Sequence, residues 1–155
     1  MLKLADFGLS KRSNGSGNHT EYVSTRWYRA PELVLRSQNY KESVDMFALG
    51  CIMAEMYLGR PLFPGTSEAD QLTRIVTVMG TPSASEWPEG QSLATAKGVS
   101  FPTSKNSFRE QFSRNVPEDA LDLMAQMLRY SADKRPTAQT CLQHEFFRSV
   151  PAALR

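Results

Sequence analysis

With 155 residues, 41% of them hydrophobic, the chain has the length and apolar content of one modest domain around a single core. Eighteen Lys and Arg against 16 Asp and Glu leave a formal charge of +2, too small for the basic footprint that dominates nucleic-acid or anionic-membrane binding. Charged residues at 22% and aromatics at 10% exclude wholesale disorder, and no stretch approaches the ~20 apolar residues of a membrane span. Asp6 interrupts the N-terminal segment too soon for a secretory signal, so an intracellular, soluble protein with no nucleic-acid or membrane partner is expected. Cys51 and Cys141 stand far apart, with no CxxC and no His pair to complete a zinc site, and are expected to be buried reduced thiols.

Leu2 to Ala5 alternate as a short strand would, and the chain then turns at Asp6-Phe7-Gly8. From Leu9 to His19 the composition shifts to Ser, Asn, Gly and Lys, which predicts a flexible loop; its glycines lack the spacing of a phosphate-cradling GxGxxG. Residues 43 to 58 are apolar on nearly every face, including Met46, Phe47, Leu49, Ile52, Met53 and Met56, and predict a helix buried all round that stops at Gly59-Arg60-Pro61. A capping pattern at Ser67-Glu68-Ala69-Asp70, followed by Leu72, Ile75, Val76 and Met79, predicts a second helix over about 68 to 79. Periodicity fails between Pro82 and Val116, an irregular insert pinned to the surface by Trp87, Phe101, Phe108 and Phe112. A third helix begins with Pro117 in its first turn and carries Ala120, Leu121, Met124, Met127 and Leu128. A fourth takes Thr137 as N-cap and runs through Cys141, Leu142 and Phe146. His19 and His144 have no partner in any recognisable arrangement and are expected at the surface or in caps. The fold class is therefore mainly α, a helical bundle fed by one long loop.

Alone, Asp6-Phe7-Gly8 is a weak signal, but 21 residues separate Gly8 from Ala30-Pro31-Glu32, and Thr20-Glu21-Tyr22 and Ser24-Thr25-Arg26-Trp27-Tyr28-Arg29 lie between. With these motifs in order, the chain resembles the C-terminal lobe of a eukaryotic protein kinase, with an activation segment over 6–32. Asp45 and Gly50-Cys51 in the apolar helix and Asp133-Lys134-Arg135-Pro136 before the last helix extend the resemblance along the chain. Tyr22 to Glu32 and the insert after Gly80-Thr81-Pro82 narrow it to the CMGC group of MAP and cyclin-dependent kinases. Leu62 to Glu68 and Glu86-Trp87-Pro88-Glu89-Gly90 look most like the male-germ-cell-associated and intestinal-cell kinase branch. The implied partition is a partial kinase domain over 1–148, with the buried helix 43–58, the group-specific insert at about 81–116 and terminal helices over 117–147, and a tail 149–155.

The resemblance implies ATP and Mg²⁺ in the complete enzyme, with Asp6-Phe7-Gly8 at the nucleotide, Asp6 holding the metal, Gly8 permitting the bend and Phe7 packing in the core. It implies phosphorylation of Thr20 and Tyr22 by an upstream activating kinase, with Arg26 and Arg29 as phosphate partners. Thr25, Trp27 and Arg29 match the family's protein-substrate pocket, with a preference for Ser/Thr-Pro. Glu32 and Arg135 match its buried ion pair, and Asp45 a structural residue that grips the catalytic loop. Phe47 departs from the tryptophan often found in its place. Cytoplasm or nucleus is the implied location, with the cilium suggested by the branch alone.

These 155 residues contain no glycine-rich loop, no Val-Ala-Ile-Lys-like strand and no His-Arg-Asp catalytic loop. The N-lobe and catalytic base are absent from the segment, which is therefore expected to be inactive by itself. The leading expectation is the C-terminal part of a serine/threonine kinase; the alternative is a non-catalytic binding module that competes for kinase substrates or activators.

Overall fold

The computed structural model describes Lys3, Ala5, Phe7 and residues 26–148. Asp6, Gly8, the loop from Leu9 to His19, Thr20, Tyr22, Thr25 and the tail 149–155 lie outside the described residues. Of the expected strand over 2–5, Lys3 and Ala5 are described; both are exposed and neither is in a strand. Phe7 is 67% exposed. The described chain is mainly α, and none of its helices is long and apolar enough to cross a membrane.

A short helix, α1 (Pro31–Val34), follows the Arg26–Arg29 turn and was not expected from periodicity. Proline at its first position needs no N–H there. Its end is closed by Ser37 N–H on the Glu32 carbonyl at 2.8 Å and Arg36 N–H on the Leu33 carbonyl at 3.0 Å. This is the Schellman pattern, and it puts Arg36 at φ 53°, a left-handed position usually held by glycine. The ion pair of Arg36 Nε with Glu68, 3.1 Å, joins that corner to a segment 32 residues further on.

Helix α2 (Ser43–Leu58) has the expected bounds and stops where Gly59, φ 67°, adopts the left-handed conformation. It is not buried all round. Met46, Phe47, Gly50, Cys51 and Ala54 face the core, whereas Leu49, Ile52 and Met56 are 47%, 46% and 75% exposed. The physical reason is one-sided packing: Gly50 admits Leu128 and Met127 so closely that a Cβ would stand 3.0 and 3.1 Å from them. Among the described residues nothing covers the opposite stripe to the same degree.

Helix α3 (Glu68–Met79) starts where Ser67 Oγ accepts the Asp70 N–H at 3.1 Å. The Asp70 carboxylate reaches past the cap residue to Thr66 N–H, 2.8 Å, and takes Arg74 Nε at 2.9 Å. The Arg74 hydrogen bond above all holds the Asp70 carboxyl below its ordinary range. Leu72, Ile75 and Val76 are buried at the predicted spacing.

The insert contains a helix where none was expected, α4 (Pro88–Ala96). Pro88 opens it after Trp87, and Gly90 is required because a Cβ there would lie 2.0 Å from the Trp87 ring. Trp87 and Phe108, each 2% exposed, sit inside the core and do not merely pin the insert to the surface. Trp87 stacks on Tyr130 at 5.3 Å and meets Phe101 at 5.9 Å. The Tyr130 hydroxyl donates to the Gly80 carbonyl at 2.6 Å, and burial pushes this phenol up.

Helix α5 (Glu118–Met127) begins one residue later than expected, with Pro117 as its cap. Ala120, Leu121, Leu123, Met124 and Met127 are buried, several of them against α2. Helix α6 (Ala138–Leu142) starts at the expected cap, Thr137, which accepts the Thr140 N–H at 3.1 Å. It ends before Phe146, because His144 caps a separate 3₁₀ turn over Glu145–Phe147. Cys51 and Cys141 are buried and unbridged, and burial raises both thiols.

Candidate functional site

Arg135 donates all five of its N–H groups. Nη1 and Nη2 meet the two Glu32 carboxylate oxygens at 2.6 and 2.7 Å, Nε meets the Arg129 carbonyl at 2.8 Å, and the remaining protons reach the carbonyls of Ser43 and Tyr130 at 3.1 and 3.0 Å. The pair is nearly sealed from water, with side chains 0% and 3% exposed. Its guanidinium carbon lies 5.1 Å from the ring centroid of Phe47, which in turn stacks on Phe63 at 6.1 Å. Phenylalanine thus serves at a place where the resemblance suggests tryptophan: the cation uses the ring face and needs no indole donor. One guanidinium holds α1, the start of α2 and the turn before α6 in fixed relation.

Directly upstream of α1, Arg29 N–H bonds to the Arg26 carbonyl at 2.9 Å and closes a tight turn through Trp27 and Tyr28. A ring of three hydrogen bonds links this turn, the segment before α3 and α3 itself. Trp27 Nε1–H donates to the Gly65 carbonyl at 3.1 Å, Gly65 N–H donates to Gln71 Oε1 at 3.1 Å, and Gln71 Nε2 donates to the Trp27 carbonyl at 3.4 Å. Gln71 is fully buried, and a Cβ on Gly65 would lie 2.6 Å from the Gln71 Cα, so only glycine permits the approach. On the turn's other side the Tyr28 hydroxyl donates to Glu55 Oε2 at 2.7 Å, which, with burial, raises the phenol.

Of the residues expected at the site, Trp27, Arg29, Glu32 and Arg135 are brought together around this turn and helix. Arg26 opens the same turn, half-buried, while Asp45 is exposed near the start of α2. Asp6, Gly8, Thr20, Tyr22 and Thr25 lie outside the described residues. A cleft of about 470 Å³ between Ser85–Glu89 and Ser131–Lys134 shares none of the turn's residues. Among the described residues no group of three His, Cys, Asp or Glu could hold a metal ion, and Asp6, the expected holder of Mg²⁺, lies outside them. His144 caps Phe146, as expected, but it also has a partner that was not expected, Asp122.

Sequence reasoning missed Gln71, Gly65 and Glu55. Gln71 was findable: it is a polar residue on the apolar face of α3, beside Leu72 and Ile75, and a buried amide needs partners. Gly65 and Glu55 carry no comparable signal, since both depend on contacts remote in sequence.

A protein kinase domain model matches residues 1–147. Serine/threonine-protein kinase MAK of Homo sapiens is 46% identical over 147 residues, which cover 95% of this chain and 24% of that protein. Serine/threonine-protein kinase ICK of Rattus norvegicus is 44% identical over 147 residues, 95% of this chain and 23% of the relative. Cyclin-dependent kinase F-4 of Oryza sativa subsp. japonica is 44% identical over 158 residues, 100% of this chain and 34% of the relative. The chain spans about a quarter to a third of the length of these curated relatives.

Proposed function

This chain belongs to the protein kinase domain family, in the CMGC group and related to MAK and ICK, and from that premise we propose that it is the C-terminal part of a serine/threonine protein kinase whose turn Arg26–Arg29 receives the substrate. The observation that carries this reading is the double fastening of the segment leading into α1: the five-donor Arg135 below and the Trp27–Gly65–Gln71 ring beside. A surface that must hold a peptide in line for phosphoryl transfer has to be rigid, since most of that catalysis is positioning and charge stabilisation.

On this reading residues 1–148 are a partial kinase domain with its activation segment over 6–32, and ATP and Mg²⁺ serve the complete enzyme through Asp6. Thr20 and Tyr22 are phosphorylated by an upstream kinase, and Arg26 and Arg29 receive phosphate. Thr25, Trp27 and Arg29 meet the protein substrate, and the protein works in the cytoplasm or nucleus. The 155 residues contain no catalytic base, so the isolated chain is inactive.

Proline after the phosphoacceptor follows from the same pocket. If Arg29 occupies the carbonyl that would otherwise take a substrate N–H, proline loses nothing, whereas any other residue buries an unpaired donor at ~1–3 kcal/mol. A peptide library phosphorylated by the complete kinase that carries this segment tests it: enrichment of Ser-Pro and Thr-Pro, reduced by Arg29→Ala, is expected. An unselective following position that Arg29→Ala leaves unchanged would refute the preference.

A further inference from the structure

We propose that Gln71 is a positioning residue for substrate binding, fixing the central peptide of the Arg26–Arg29 turn from helix α3. The proposal rests on the reading of that turn as substrate-facing. In a four-residue turn the carbonyl of the second residue belongs to the central peptide, whose orientation distinguishes one turn type from another. Here that carbonyl is Trp27's, and Gln71 Nε2 donates to it. The other end of the same amide accepts Gly65 N–H, and the Gly65 carbonyl accepts the Trp27 indole. The three bonds form a closed ring, so the backbone and the side chain of Trp27 are held together and neither can shift without breaking the other's partner.

The ring requires a side chain that is donor and acceptor at once, and it sits where water cannot substitute: Gln71 has 0% exposure. Gln71→Glu keeps the shape and tests the chemistry. As a carboxylate it still accepts from Gly65 but faces the Trp27 carbonyl with negative charge; as a neutral acid its O–H donates to that carbonyl while its C=O accepts from Gly65. Burial raises a carboxyl's pKa, so falling pH should restore the ring in the variant alone.

The experiment is steady-state kinetics of the complete kinase carrying this segment, with a peptide substrate, at a series of pH values from about 8 to 5.5. Gln71→Glu is expected to raise the peptide KM roughly tenfold at the upper end, with kcat and the KM for ATP within about twofold, and the deficit should shrink as pH falls. Trp27→Ala serves as the control for the underlying reading. If Trp27→Ala raises the peptide KM and Gln71→Glu does not at any pH, the positioning role is wrong and the substrate-facing turn stands. If neither moves it, the turn itself is misread and the proposal falls with it. Should Gln71→Glu fail to fold, Gln71→Met, which removes both bonds without adding charge, replaces it. Loss of kcat, both KM values and thermal stability together in both variants marks a merely structural residue and overturns the proposal.

Discussion

His144 Nε2 lies 2.9 Å from Asp122 Oδ2 while its other ring nitrogen, Nδ1, accepts the Phe146 N–H at 3.2 Å. The acceptor role of Nδ1 assigns the neutral ring's proton to Nε2, which donates to the carboxylate. Gln126, one turn along α5, donates to the same Asp122 oxygen at 2.8 Å. One imidazole therefore ties the 3₁₀ turn over Glu145–Phe147 to α5 and caps that turn.

The hydrogen bond from His144, more than that from Gln126, holds the Asp122 carboxyl below its ordinary range, against a partial desolvation that would raise it. A carboxyl whose pKa is lower in the folded chain stabilises the fold above its unfolded value, ~3.9, and loses that contribution as pH falls through the folded value. Asp122 is half exposed, so screening keeps the effect under roughly 1 kcal/mol. Urea denaturation should place Asp122→Asn slightly below wild type at neutral pH, with the gap closing in strong acid. A gap that widens on acidification would contradict this sign.

Arg135→Met removes one partner and leaves Glu32 buried and unpaired, for an expected loss of about 3–5 kcal/mol in denaturant midpoint analysis. Arg135→Lys should be nearly as damaging, because an ammonium cannot span both Glu32 oxygens and three carbonyls. The double variant with Glu32→Leu should recover part of the loss. A double variant as unstable as Arg135→Met would mean that the surrounding carbonyls, and not the orphaned carboxylate, dominate the cost.

Two glycines should respond differently to alanine. At Gly90 the new methyl would lie 2.0 Å from the Trp87 ring, and displacing a buried indole should cost about 1–3 kcal/mol or more. At Gly98 nothing lies within 4 Å, and only the φ of +63° resists, at roughly 1–2 kcal/mol. Gly98→Asn, which tolerates that backbone, should be milder still, whereas the same change at Gly90 should be worse than alanine. Thermal melts of the four variants give the ranking directly.

Leu49, Ile52 and Met56 recur at helical spacing along the outer side of α2 and should make the 155-residue chain bind a hydrophobic dye. Ile52→Lys with Met56→Lys should lower dye fluorescence severalfold while leaving the melting temperature unchanged or raised, since neither side chain is in the core. Loss of the cooperative melt in this double variant would show that the stripe supports the fold.

Helices α2, α3 and α5 were legible because the relevant signals are local. Ser67 caps the chain it adjoins, Gly59 ends the helix it follows, and the apolar spacing of Leu72, Ile75 and Val76 reports burial directly. What composition could not say is how many sides of α2 are covered, since covering is done by α5 and by the contact that Gly50 permits. Helix α4 escaped because Gly90, Ser92 and Thr95 are poor helix formers, and its reason for existing is Trp87, a partner outside the helix. The α6 boundary was misplaced because His144 offers the backbone a competing cap. At the site, the family resemblance singled out Glu32, Arg135, Trp27 and Arg29, but the Gln71 ring closes across 38 and 44 residues and leaves no local trace beyond one polar residue on an apolar face.

The bond from Tyr130 to Gly80 sits where the insert leaves α3, and Thr81 N–H meets the Ser104 carbonyl at 3.0 Å while Ser104 N–H returns to Thr81 Oγ1 at 2.8 Å. Residues 82–103 are therefore an excursion whose two ends are buttoned together at its neck while Trp87 seats part of it in the core. Because the free-energy cost of loop length grows only logarithmically, a tag or fluorophore spliced in at Gly98, clear of Trp87, should travel with the protein as passive cargo. The insert offers a handle on this lobe that is mechanically coupled to the core through Trp87.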